Sequence, residues 1–170
     1  MTLFDTLRER LGLDPRELAG ATVSGEIPIT DTLLNRLIGE RLQQHAQVES
    51  VHVHPQEGDA AIIDVNTRLR LLPTLRITAR IEQQPDLPRD PTLLIRWSLP
   101  AAGPLAMLAG PVLSYLKALP PGIHVEGERA VVNVAVLLQD RGLGDVLQLL
   151  RRLAVHTRPG AFVVRFEAGL

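Results

Sequence analysis

Two imidazoles one residue apart, His52 and His54, are the nearest thing in this chain to a metal-binding signature. Residues i and i+2 of a strand point to one side, so a His-x-His pair can offer two ring nitrogens to a single ion. A third ligand would have to come from a distant segment, with His124 as the candidate; two solvent-facing histidines on a polar strand face are the simpler reading, and no metal is assigned. Arg68, Arg70, Arg76, Arg80 and Arg96 fall on even positions and could share one outer sheet face, a positive strip suited to lipid phosphates. Asp64 and Glu82 dilute that strip, and such faces ordinarily keep a sheet soluble. For acid–base or nucleophilic work the chain offers Asp64, Asp90, Asp145, Ser24, Ser98 and Ser114. None sits in a nucleophile elbow, a phosphate loop or a spaced acid pair, and Gly142-Leu-Gly144 lacks the third glycine and the lysine of a phosphate cradle. The chain therefore reads as a non-enzyme, with no catalytic residue and no cofactor.

Positioning such residues is the task of one compact domain, residues 1–170, with an N-terminal helical segment over 1–20 and a core over 21–170. Hydrophobic residues make up 45% and aromatic ones only 3%, so packing must rest on Leu, Val, Ile and Ala. A net charge of −1 argues against a nucleic-acid partner. The absence of cysteine excludes disulfides and thiolate sites. Asp5, Arg8, Glu9 and Arg10 interrupt any export-signal core, so the expected location is the cytoplasm, with peripheral membrane contact as a variant.

Residues 2–11 have amphipathic helical spacing, and Pro15 suits a second short helical piece through Leu18. TVSGEIPI predicts a strand that Pro28 confines to an edge or an end. Thr30 or Asp31 can cap the next helix, whose apolar face is Leu33, Leu34, Leu37, Ile38 and Leu42. From Val51 to Ile81 the period is 2, apolar residues facing one way and polar ones the other. Pro73 marks either a hairpin loop, which would set Arg70 opposite Arg76, or a bend in one long strand. QQPDLPRDP reads as a plain loop, and Leu93 to Leu99 as a further half-buried strand. Ile123 to Glu126 turns at Gly127-Glu128-Arg129 into an apolar strand, AVVNVAVLL. Asp145 then starts a helix carrying Val146, Leu147, Leu149, Leu150, Leu153 and Ala154, and a last strand follows Gly160. The fold class expected is α+β: a strongly twisted, mostly antiparallel sheet of about seven or eight strands wrapped on two or three long helices.

One segment stands apart. From Trp97 to Leu116 run twenty residues without a formal charge, broken by Pro100, Pro104 and Pro111, which make a membrane span unattractive. As a helix from about Pro104 it would be a core helix, line a lipid cavity or lie against a membrane.

The order of strand, Pro-Ile-Thr-Asp-x-Leu-Leu-Asn-x-Leu-Ile helix, alternating strands, apolar helix and Leu119-Pro-Pro-Gly-Ile123 resembles the tubular lipid-binding (TULIP) superfamily, with the bacterial LmeA-like and YceB-like families closest. The resemblance covers residues 23–138 and implies a long curved sheet wrapped round a helix, with acyl chains in the groove between them. It would place Leu33, Leu37, Leu105, Met107, Leu108, Val112 and Leu116 near that groove and implies no catalytic residue. The expected function is non-enzymatic binding or transport of a lipid or other hydrophobic small molecule. The alternative is a structural or adaptor domain that fills its own core and forms a homodimer or docks a protein partner.

Overall fold

The computed structural model describes residues 20–42, 48–68, 74–99 and 121–169. The elements are β1 (Thr22–Thr30), α1 (Asp31–Leu42), β2 (Val48–Gln56), β3 (Ala60–Thr67), β4 (Leu75–Gln83), β5 (Thr92–Ser98), β6 (Ile123–Glu126), β7 (Arg129–Asn133), α2 (Val134–Asp140), α3 (Gly144–Leu149), β8 (Leu150–Arg158) and β9 (Ala161–Gly169). These nine strands form two antiparallel sheets, one ordered β2-β3-β4-β5-β7-β6 and one ordered β1-β9-β8. The expected single sheet on long helices is thereby corrected, and with it the helix-wrapped arrangement that the TULIP resemblance implied. The three described helices run only twelve, seven and six residues.

Two local decisions explain the difference. The apolar run after Arg129 does not continue as one strand, because the Asn133 side chain accepts the Val136 N–H at 3.1 Å and caps a helix there. The helix from Gly144 stops at Leu149, where the sequence pattern carried it on to Ala154. From Leu150 the chain is strand, paired along its length with β9 from Leu150↔Ala168 to Arg158↔Ala161. Leu150, Leu153 and Ala154 fit a helical stripe and a strand equally well; the ladder to β9 and the β-branched Val155 and Thr157 decide for the strand.

Other expectations hold. Thr30 Oγ1 accepts the Leu33 N–H at 3.2 Å, capping α1, and β1 with its Pro28 lies at the edge of the smaller sheet. The β6–β7 hairpin turns at Gly127, whose φ of 59° suits glycine. In the β3–β4 pair, Arg76 faces Asp64 rather than Arg70, so two like charges do not meet there. Pro73, the N-terminal helical segment and the helix expected beyond Pro104 lie outside the described residues.

Hydrophobic packing divides into two clusters. Val48, Val65, Leu75 and Ile77 are buried together, with Ile38 of α1 packed on them. Leu87, Leu150 and Ala168 form the other, covered by Leu138 of α2 and by Val146, Leu147 and Leu149 of α3. The loop 84–91, which looked plain, supplies Leu87 to this cluster.

Strand edges at the junction of the sheets are closed by side chains that imitate a neighbouring strand. Asn35 accepts from Val53 N at 2.7 Å and donates to Val53 O at 3.1 Å on β2, the edge of the large sheet. Gln84 does the same to Val155 on β8, the edge of the small one, at 2.8 and 2.7 Å. Replacing either amide leaves a strand N–H and C=O unpaired in a half-buried place. Gln84→Ala and Asn35→Ala are each expected to lower the unfolding free energy by about 1–2 kcal/mol, read from urea denaturation; a loss near zero would show that the edges do not depend on them.

Candidate functional site

Strand alternation sends every second residue of the large sheet to one face, and the registers align those residues into rows. Val53, Ile63 and Ile77 form one row, and Ile81, Ile95, Ala130 and Val125 another. Between them lies Ala61–Ala79–Trp97. From the smaller sheet come Val155, Thr157 and Phe162, the last two being cross-strand partners. All of these line a cavity of about 400 Å³. The hollow has a simple local origin. Ala61 and Ala79 pair directly, both buried, with Ile77 and Ile81 flanking Ala79 on its face and Ile63 beside Ala61, so two methyl groups stand where branched side chains would reach across.

Two polar atoms belonging to lining residues, buried behind the apolar wall, lack partners among the described residues. Trp97 Nε1 and Thr157 Oγ1 are buried without a hydrogen bond from the described residues. Thr157 as a whole is 9% exposed. Native interiors seldom leave such groups unpaired, and both are sealed by neighbouring protein atoms, the cavity wall itself exposing only apolar surface.

Asp59 fixes the rim. It sits in the β2–β3 turn with φ of 58°, a conformation that aspartate tolerates better than most residues. Its carbonyl accepts Ile81 N–H at 2.8 Å, and its carboxylate accepts Thr157 N–H at 3.1 Å and lies 3.2 Å from His156 Nδ1. One turn residue thus joins β4 of one sheet to β8 of the other.

Most residues singled out from sequence lie elsewhere. Leu33 and Leu37 are 36% and 47% exposed on α1 and do not line this cavity, while Leu105, Met107, Leu108, Val112 and Leu116 lie outside the described residues. His52 and His54 are exposed, with rings stacked at 6.5 Å. His124 pairs with Glu126 on β6, at the opposite edge of the six-stranded sheet from β2, so it cannot join the histidine pair. No three metal-ligating side chains converge among the described residues.

The arginine strip is largely matched by acids. Asp64 takes two bonds from Arg76 at 2.8 and 3.2 Å, and Glu82 pairs with both Arg96 and Arg129. Arg80 stands opposite Arg96, Arg68 is exposed, and Arg70 is outside the described residues. Ser24, Ser98 and Asp145 are exposed and apart, Asp90 is held by Gln83 and the Thr92 N–H, and Ser114 is not among the described residues.

No family model, curated protein or solved structure matches this chain. No described helix is long and apolar enough to cross a membrane. Sequence reading missed the cavity because alternation reports which side a residue faces and not which sheet lies opposite; the usable signal was alanine at 61 and 79 among isoleucines.

Two outcomes follow from these contacts. Thr157→Val keeps the shape and removes a buried unpaired hydroxyl, so the ligand-free protein is expected to gain about 1 kcal/mol in urea unfolding; a loss of stability would show that the hydroxyl is satisfied. The hydrogen bonds and charge of Arg76 hold the Asp64 carboxyl below its ordinary value of 3.8, outweighing the opposite effect of burial. A depressed folded-state value gives stability that is present above the unfolded value and lost as pH falls through the folded one. The stability difference between wild type and Asp64→Asn is therefore expected at neutral pH and should close below about pH 4; a pH-independent difference would contradict the pairing.

Proposed function

We propose that this protein binds a compact hydrophobic small molecule, without chemistry, in the cavity between its sheets. The observation that carries the reading is the cavity itself: about 400 Å³, with a wall of aliphatic side chains, Trp97 and Phe162 that exposes only apolar surface. Ligand sites are lined predominantly by hydrophobic and aromatic side chains and span about 300–1,000 Å³. Larger side chains at 61 and 79 would close such a hollow, and interiors normally are closed. A two-chain lipid exceeds a space at the small end of that range, so a single-chain or ring-shaped ligand fits better.

A second reading, association with another protein, has its own support. Val23 and Ile27 on β1 are 50% and 53% exposed, and Leu33 and Leu37 on α1 are exposed as well. Native mass spectrometry reads both possibilities in one experiment, a bound small molecule or a dimer.

Trp97 is the single tryptophan of the chain and lines the cavity, so its fluorescence reports occupancy directly. Titration with 1-aminoanthracene, an uncharged dye, is expected to quench Trp97 and to saturate. Ala79→Leu should weaken dye binding at least about tenfold while leaving the urea midpoint unchanged or raised. Equal binding by wild type and Ala79→Leu, or no uptake by either, would sink the cavity reading.

A further inference from the structure

The cavity wall presents nothing with which a ligand could form a hydrogen bond. Its surface is apolar throughout, and the backbone behind it is paired within the ladders of β2, β3, β4, β5 and β7. Ile81 N–H, beside the irregularity in the β4–β5 ladder, bonds the Asp59 carbonyl at 2.8 Å. Trp97 Nε1 and Thr157 Oγ1 belong to lining residues but are sealed behind the wall and meet nothing inside it.

The two ionisable residues along the described lining do not alter this. Asp59 is engaged at the rim, accepting Thr157 N–H at 3.1 Å and facing His156 Nδ1 at 3.2 Å. Arg80 is exposed and in register with Arg96, so strand alternation sends its side chain to the opposite face from Ala79 and Ile81. Binding pockets ordinarily hold a few placed polar groups that orient the ligand and reject others. Here a hydroxyl, carbonyl or carboxylate carried inside would lose its hydration and find no partner, a cost that a hydrocarbon does not meet.

We infer that the enclosed part of the ligand is pure hydrocarbon, of the cyclic aliphatic or aromatic class, with no hydrogen-bonding group. This rests on the reading of the cavity as a ligand site. Selection is then by volume and shape alone, with Ala61 and Ala79 setting the space that the two sheets leave.

Tetralin, 1-tetralone and 1-tetralol share one skeleton and differ in bearing nothing polar, an acceptor, or a hydroxyl. Calorimetric titration of the full chain is expected to show tetralin bound at least about tenfold more tightly than the ketone or the alcohol. Ala79→Leu should weaken tetralin at least about tenfold, which ties the ranking to this cavity. A ketone or alcohol bound as tightly as tetralin, or more tightly, would overturn the inference and leave the cavity reading standing. So would equal tetralin binding by wild type and Ala79→Leu, or failure of all three compounds to bind while 1-aminoanthracene still binds. Failure of the dye as well would overturn both readings.

Discussion

The arrangement of this protein rests on side chains that take the place of backbone. Gln84 and Asp59, from loops of the six-stranded sheet, bond the open edge of β8 at Val155 and Thr157. Asn35 bonds the open edge of β2 at Val53. Backbone groups at a half-buried edge must find partners, and these do so without a further strand. The smaller sheet is thereby held by its rim against the larger one. Val155, Thr157 and Phe162 of the smaller sheet then line the same hollow as the alanine row of the larger one.

Chemistry is sorted by face. Outside, acids and arginines meet in pairs: Asp64 with Arg76, Glu82 with Arg96 and Arg129, and Glu26 with Arg165. Exposed pairs of this kind add little stability, but they relieve the crowding of positive charge where Arg80 faces Arg96. Inside, the wall is almost wholly aliphatic. Three aromatic side chains are described apart from histidine, and two of them, Trp97 and Phe162, line the cavity. The third, Phe166, lies over Gly25, where a Cβ would come within 2.9 Å of its ring. In a chain with so few aromatic groups, two at one hollow supply rigid wall where aliphatic chains would adapt.

Period-2 alternation made the strands from Val51 to Leu99 legible, and so were the Thr30 cap, the edge position of Pro28 and the Gly127 turn. Partition into two sheets was not. Thr22 pairs with Gly169 across nearly the whole chain, and nothing in either strand names the other. Leu150, Leu153 and Ala154 satisfied a helical stripe as well as a strand, and only the ladder to β9 separates the two. Asn133 inside AVVNVAVLL was a cap disguised as a strand residue. The site was hidden for a related reason: Ala61 and Ala79 are unremarkable singly, and only the β3–β4 register puts their methyl groups side by side. Gln84 and Asp59 looked like loop polarity until the opposite sheet was in place.

The amide clamps have a bearing on how this molecule ages and associates. A strand edge invites another strand, and proteins usually blunt it with charge, proline or a covering segment. Here Val53 and Val155 are each guarded by one carboxamide that supplies both a donor and an acceptor. Loss of ammonia from Asn35 or Gln84 would turn the donor nitrogen into an oxygen facing a carbonyl, so that attraction becomes repulsion and the edge falls open. A slow chemical change at a single side chain would then expose a template for intermolecular pairing, with the fold itself otherwise intact.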